Sequence, residues 1–216
     1  MGVSSSKALP GSTPLLQKHF LLSRLHSLAG IVPLGAFLIE HLYSNAVALQ
    51  GAFAYDKQVA TLQGIPFVWL LEIFLILLPL LYHAGYGIYV SLLSSPNTRT
   101  YGYGSNWRFL LQRVSGIVTL LFVVYHVWSF RLKSAFFGTE VDFYAVSAHL
   151  LNPWIFAFYV LGVLSVTFHF TNGLWSGLIT WGITTGPRAQ QISGRILLVL
   201  FALLSVVGLG SMLAFV

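Results

Sequence analysis

The sequence predicts an all-α integral membrane protein, a bundle of five transmembrane helices with its N-terminus in the cytoplasm. Three observations carry that prediction. Charged residues make up only 7% of the 216-residue chain and hydrophobic residues 56%, whereas a soluble domain carries about a quarter charged residues. Mean hydropathy is +0.81. The apolar residues gather into five long runs, each sufficient for the ~20 residues that cross about 30 Å of hydrocarbon.

Residues 1–23 (MGVSSSKALPGSTPLLQKHFLLS) are polar and irregular and are expected to form a cytoplasmic tail, with no cleavable signal peptide. Residues 24–216 then form one domain with spans at about 25–49, 67–93, 109–131, 153–182 and 194–216. Turn and breaker residues separate them: Gly51 and Pro66, Pro96 and Asn97, Gly138 to Asp142, Gly186 and Pro187. Pro33 and Pro79 fall inside spans, where neighbouring helices can satisfy the freed carbonyls. No alternating ten-residue segments suggest a β-barrel.

Orientation follows from the charges. With the N-terminus inside, the cytoplasmic side holds Lys7, Lys18, Arg24, Arg99, Arg108, Arg113, Arg188 and Arg195. The outer side holds Lys57, Arg131 and Lys133, together with all five acids, Glu40, Asp56, Glu72, Glu140 and Asp142. That is the positive-inside pattern, and it accounts for the net charge of +6 without nucleic acid.

Cysteine is absent, which excludes disulfides, Cys-ligated clusters and covalent c-type haem. Met1 and Met212 lie near the chain ends, so histidine is the ligand available within the membrane. His41, His83, His126 and His169 each fall about 16 residues into successive spans, roughly 24 Å at 1.5 Å per residue. Successive spans run in opposite directions. Equal fractional positions therefore set His41 with His126 toward the outer leaflet and His83 with His169 toward the cytoplasm, the levels roughly 15 Å apart.

A single intramembrane histidine is as readily an interhelical hydrogen-bonding group as a ligand. Four at matched depths have no such common reason. Two axial imidazoles would fill both faces of a haem iron, a state that passes electrons and does not bind oxygen. Gly87 follows His83 at i+4, and Gly173 and Gly177 follow His169 at i+4 and i+8, small residues on the histidine face. His26, at the cytoplasmic mouth of span one, could meet a haem propionate or a quinone, or could simply snorkel to the interface. His19 and His149 read as surface residues. A histidine-based proton or metal transporter is an alternative from a different class; it should show broken helices or internal repeats. A haem b anchor of another membrane dehydrogenase is a second alternative.

SRLHSLAG (23–30), LIEHLYSN (38–45), LEIFLILLPLLYHAGYG (71–87), NWRFLLQRVSGIVTLLFVVYHVW (106–128) and FHFTNGLWSGLITWG (168–182) resemble the di-haem cytochrome b anchor of bacterial succinate:quinone oxidoreductases, the succinate dehydrogenases and fumarate reductases with a single five-helix anchor. The resemblance covers about residues 20–216 and implies two b-type haems, a distal one on His41 and His126 and a proximal one on His83 and His169. It implies a bacterial cytoplasmic-membrane location, with a flavoprotein (FAD) subunit and an iron–sulfur subunit on the cytoplasmic face. Succinate oxidation would belong to that flavoprotein, and this chain would be the quinone-reactive subunit, with menaquinone as the expected quinone.

Proton exchange at a quinone needs an ionisable group, for which Glu72, Asp56 and Glu40 are the candidates. Arg24, Arg113 and His26 are the candidates for proximal propionates, with Arg108 on the same side, and Trp128, Ser44 and Arg131 stand near the distal haem. Trp175 and Trp181 are expected at the inner interface.

Overall fold

Long apolar runs with internal hydrogen bonds have one economical shape in a bilayer, the helix, and the computed structural model is helical throughout. It describes residues 14–93, 98, 100 and 102–216, with side chains from residue 19 onward. The expected turn at Pro96 and Asn97, and the charges Lys7 and Arg99, lie outside the described residues. Five helices are long and apolar enough to cross a membrane: His19–Gln50, Val68–Leu93, Gly104–Phe137, Pro153–Thr180 and Pro187–Leu213, here spans one to five. No strand occurs among the described residues.

The span boundaries differ from expectation at their ends. The first helix begins at Pro14, so the last ten residues of the expected irregular tail are helical. Proline at a first helical position followed by Leu, Gln and Lys favours that start. Span three extends to 34 residues, about 51 Å at 1.5 Å per residue, which carries its polar ends beyond the hydrocarbon. Span five starts at Pro187, set by the extended Gly186 before it (φ −105°, ψ 157°). Span four is capped by Asn152, whose Oδ1 accepts from the N–H groups of Trp154 (3.0 Å) and Ile155 (3.3 Å).

Both internal prolines sit where the helix departs from regularity. Span one is interrupted at Val32 and resumes at Pro33. In span two, residues Glu72–Leu77 form a π-helical turn immediately before Pro79. Proline removes one donor and crowds the carbonyl four residues back, here Leu75, and a π turn accommodates both. A second π turn, Trp128–Leu132, lies in span three and begins two residues after His126.

Span four is central. It packs between spans three and five and also meets span one, while span two leans on span one. Small residues permit these approaches. A Cβ at Gly208 would lie 2.7 Å from a Val163 methyl, and one at Gly177 would lie 2.6 Å from Ile31 Cδ1. Thr167 is fully buried and its Oγ1 lies 3.0 Å from Ser205 Oγ, fastening spans four and five. Apolar residues such as Leu121, Leu203 and Val206 cover the outside, as a lipid-facing surface requires.

The connections at the end bearing the C-terminus contain two helices that turn signals did not foretell, Ala52–Gln63 and Phe143–Leu150. They fold over that end and close a cluster that includes Tyr55, Phe122, Val146, Leu150, Tyr159 and Phe215. Asp56 Oδ1 accepts from the Phe143 N–H at 2.8 Å, and Ser147 Oγ donates to the Phe215 carbonyl at 2.6 Å. Burial, with Asp56 alongside, pushes the Tyr55 phenol up to about 12.

Candidate functional site

The antiparallel arrangement brings the four intramembrane histidines together in two pairs. His41 faces His126 with ring centroids 5.5 Å apart, and His83 faces His169 at 6.0 Å. Three helices measure the gap between the levels. Gly30, which touches His83, precedes His41 by eleven residues. Gly116, which touches His169, precedes His126 by ten, and Tyr159, beside His126, precedes His169 by ten. At 1.5 Å per residue each interval is about 15 Å.

At the N-terminal end of the bundle both ring nitrogens Nδ1 meet backbone carbonyls. His83 Nδ1–H donates to His26 O at 3.0 Å, and His169 Nδ1–H donates to Gln112 O at 3.0 Å. A carbonyl only accepts, so each imidazole keeps its proton on Nδ1 and leaves the Nε2 lone pair free. A polar chain supports this level. Gln112 Nε2 donates to His169 O at 3.0 Å, and Asn172 Nδ2 donates to Gln112 Oε1 at 2.8 Å. His26 stacks on His83 with centroids 4.2 Å apart and planes 5° from parallel.

At the other end the pair sits among aromatic rings. Phe37 stacks on His41 at 5.3 Å, Phe122 on His126 at 5.6 Å, and Tyr159 Oη lies 3.4 Å from His126 Nδ1. Asn45 Nδ2 donates to His41 O at 2.8 Å and lies 3.4 Å from His41 Nε2.

These pairs suit a planar iron macrocycle between two imidazoles. With nitrogen–metal distances of about 2 Å on either side, opposed ring centres stand about 6 Å apart, close to both measured separations. Two glycines also leave room for the rings. A Cβ at Gly116 would come within 2.9 Å of His169 Cε1, and one at Gly30 would overlap the His83 ring. Among the described residues no group of three or more His, Cys, Asp or Glu forms a site for a bare ion; a haem needs two axial ligands from the protein.

The glycines singled out by spacing do something else. Gly87 faces His26 Nε2, Gly173 faces Gln112 Nε2 and Gly177 faces Ile31. They allow helices to approach, and the room beside the histidine rings comes from Gly30 and Gly116 on the facing helices. Spacing along one helix identifies a face but not the neighbour that meets it. His149 also departs from its expected surface place. Its Nε2 is shielded from solvent without a hydrogen-bond partner, and its ring packs against Phe130 (5.1 Å), Tyr159 (5.6 Å) and Tyr125 (5.8 Å). Burial, then Lys133, holds its imidazole below the ordinary range. His19 is exposed as expected.

The carboxylates expected near a quinone are each engaged. Glu72 pairs with Arg131, which donates from Nε at 2.9 Å and from Nη2 at 2.5 Å. Asp56 holds the Phe143 N–H, and Glu40 accepts from Ser44 Oγ at 2.5 Å. Of the propionate candidates, His26 joins the His83 level. Arg24 instead donates to the Thr180 carbonyl and lies over the Trp181 ring, and Arg113 lies over Phe109 at 3.8 Å. Gln112, Asn172 and Tyr159 escaped the sequence reading. Amides in two apolar spans were the available signal for the first two; a tyrosine in an aromatic-rich span gave none.

Comparison with known proteins matches residues 94–209 to the succinate dehydrogenase/fumarate reductase transmembrane subunit family. The chain is 48% identical over 199 residues to the succinate dehydrogenase cytochrome b558 subunit of Bacillus subtilis, covering 92% of this chain and 98% of the relative. It is 32% identical over 107 residues to the succinate dehydrogenase hydrophobic membrane anchor subunit of Thermoplasma acidophilum, covering 49% of this chain and 82% of that one. Five apolar helices, two facing histidine pairs and near-complete alignment with a cytochrome b subunit agree, and the chain belongs to the succinate dehydrogenase/fumarate reductase transmembrane subunit family.

Proposed function

We propose that the chain is the di-haem, quinone-reactive anchor of a succinate:quinone oxidoreductase, with its N-terminus in the cytoplasm of a bacterium. The observation that carries this reading is the pair of imidazole pairs about 15 Å apart along the bundle. Two bound b-type haems would supply one-electron chemistry between an iron–sulfur subunit and a membrane quinone, menaquinone by family resemblance.

The chain's own part is to hold and orient. His83 and His169 present Nε2 because backbone carbonyls fix the proton on Nδ1. His41 and His126 sit within a shell of Phe37, Phe122 and Tyr159, with the Asn45 amide beside His41 Nε2. The arginine-rich N-terminal end faces the cytoplasm and receives the iron–sulfur and flavoprotein subunits. Glu72, Asp56 and Glu40 stand at the opposite end, where a quinone would exchange protons with them.

The experiment is a reduced-minus-oxidised optical spectrum of the purified complex with a haem-to-chain count. Two six-coordinate b haems reducible by succinate are expected. Absence of haem overturns the reading, and haem that succinate does not reduce overturns its role in carrying electrons from succinate to quinone.

A further inference from the structure

Between the starts of spans three and five lies a cavity of about 540 Å³ that neither histidine pair uses. Arg108 and Arg195 line it with Ser105, Trp175, Gln190 and Leu198. The Arg108 guanidinium lies 4.3 Å over the Trp175 ring. The indole is itself fixed by donating Nε1–H to the Gln190 carbonyl at 3.0 Å. Gly194 supplies the notch, since a Cβ there would lie 3.2 Å from Arg108 Nη2 and 3.3 Å from Trp175 Nε1.

The two arginines have no carboxylate near them. All five acidic residues, Glu40, Asp56, Glu72, Glu140 and Asp142, belong to the opposite end of the bundle. The starts of spans three and five, at Gly104 and Pro187, add the partial positive charge of two helix N-termini. An anion is therefore the fitting occupant.

What lies below the arginines identifies its kind. Gln191, Arg195, Leu198, Ala202 and Val206 recur at helical spacing along span five, polar at the membrane surface and apolar beneath it. Leu198 is 60% and Val206 69% exposed. Eleven residues from Arg195 to Val206 give an apolar track of about 16 Å. We infer that this cavity is a binding site for an anionic phospholipid, its phosphate held between Arg108 and Arg195 and one acyl chain laid along span five. A docked protein subunit would need the charged rim but not the apolar track.

The test uses the whole complex, delipidated in neutral detergent and titrated with dioleoylphosphatidylglycerol or dioleoylphosphatidylcholine under native mass spectrometry. The wild type should retain one phosphatidylglycerol and no phosphatidylcholine at that site. Arg108→Gln/Arg195→Gln should bind it roughly tenfold more weakly, Arg108→Lys/Arg195→Lys should keep it, and Arg188→Gln should leave it unchanged. If the double variant does not assemble, the single Arg195→Gln change, at an exposed residue, decides in its place. Equal retention by wild type and glutamine variants overturns the proposal. Full displacement by inorganic phosphate would make this a soluble-anion site and overturns it too. So does loss of the iron–sulfur subunit with lipid retention unchanged. Retention does not depend on haem, so its failure is distinguishable from failure of the haem reading.

Discussion

Gly30 lies directly against the ring of His83, leaving no volume between them for a side chain. Two helices are thereby locked at the level of the second imidazole pair. Gly30→Ala should push the His83 ring aside at an overpacking cost of about 1–3 kcal/mol. The expected outcome is loss or spectral broadening of one b haem with the other retained. Low-temperature optical spectroscopy reads both; an unaltered two-haem spectrum would refute the role given to Gly30.

The chain from Asn172 through Gln112 to the His169 backbone makes a second prediction. Gln112→Leu removes the closer acceptor of Asn172, which is only 7% exposed and keeps only the Arg108 carbonyl at 3.3 Å. Losing one hydrogen bond of a buried amide costs roughly 1 kcal/mol. Thermal stability should fall accordingly, and the potential of the haem proposed on His83 and His169 should shift while that of the other proposed haem holds. Redox titration at two wavelengths separates them, and equal shifts of both would show that the chain is not local to His169.

Glu72 and Arg131 join the π turns of spans two and three. Their side chains remain 34% and 51% exposed, so solvent discounts the pair to about 0.5–1 kcal/mol. A double-mutant cycle with Glu72→Gln and Arg131→Gln should return a coupling of that size, shrinking at high salt. Should Glu72 also exchange protons with quinone, Glu72→Gln alone would lower quinone reduction far more than Arg131→Gln does.

His149 predicts a pH dependence. Burial disfavours its protonated form, so below its ordinary value of 6.5 the unfolded chain binds a proton that the folded chain resists. This contribution favours the fold above pH 6.5 and is progressively lost as pH falls below it. His149→Phe, which keeps an aromatic ring among Phe130, Tyr125 and Tyr159, should remove that acid sensitivity. Melting temperatures of the two proteins should converge, or reverse in favour of the variant, on going from neutral to mildly acidic pH.

The spans and the pairing of the histidines were readable because both rest on one-dimensional facts, apolar length and the alternation of direction. What lay across helices was not. Gly30 and Gly116 looked no different from Gly87 or Gly173 until the helices were assembled, and His149 read as a loop residue because the eight-residue helix that carries it has no long periodic signal. The helix Ala52–Gln63 was hidden similarly: its sequence is mixed in polarity, and only docking on the C-terminal end gives it a reason to fold. The polar support of His169 was visible as Gln112 and Asn172, but their connection was not.

The π turns of spans two and three carry a consequence for insertions and deletions. A π turn is an α-helix with one residue too many, the surplus taken up locally. Removing one residue within 128–132 would let the segment relax to ordinary winding while the helix on either side keeps its facing, whereas within 72–77 the turn also accommodates Pro79 and its loss would set the ring against the preceding turn. The same deletion between Leu78 and His83 would rotate the imidazole about 100° away from His169. Chain length is therefore free just beyond the histidine of span three and fixed from the π turn through Pro79 to the histidine of span two.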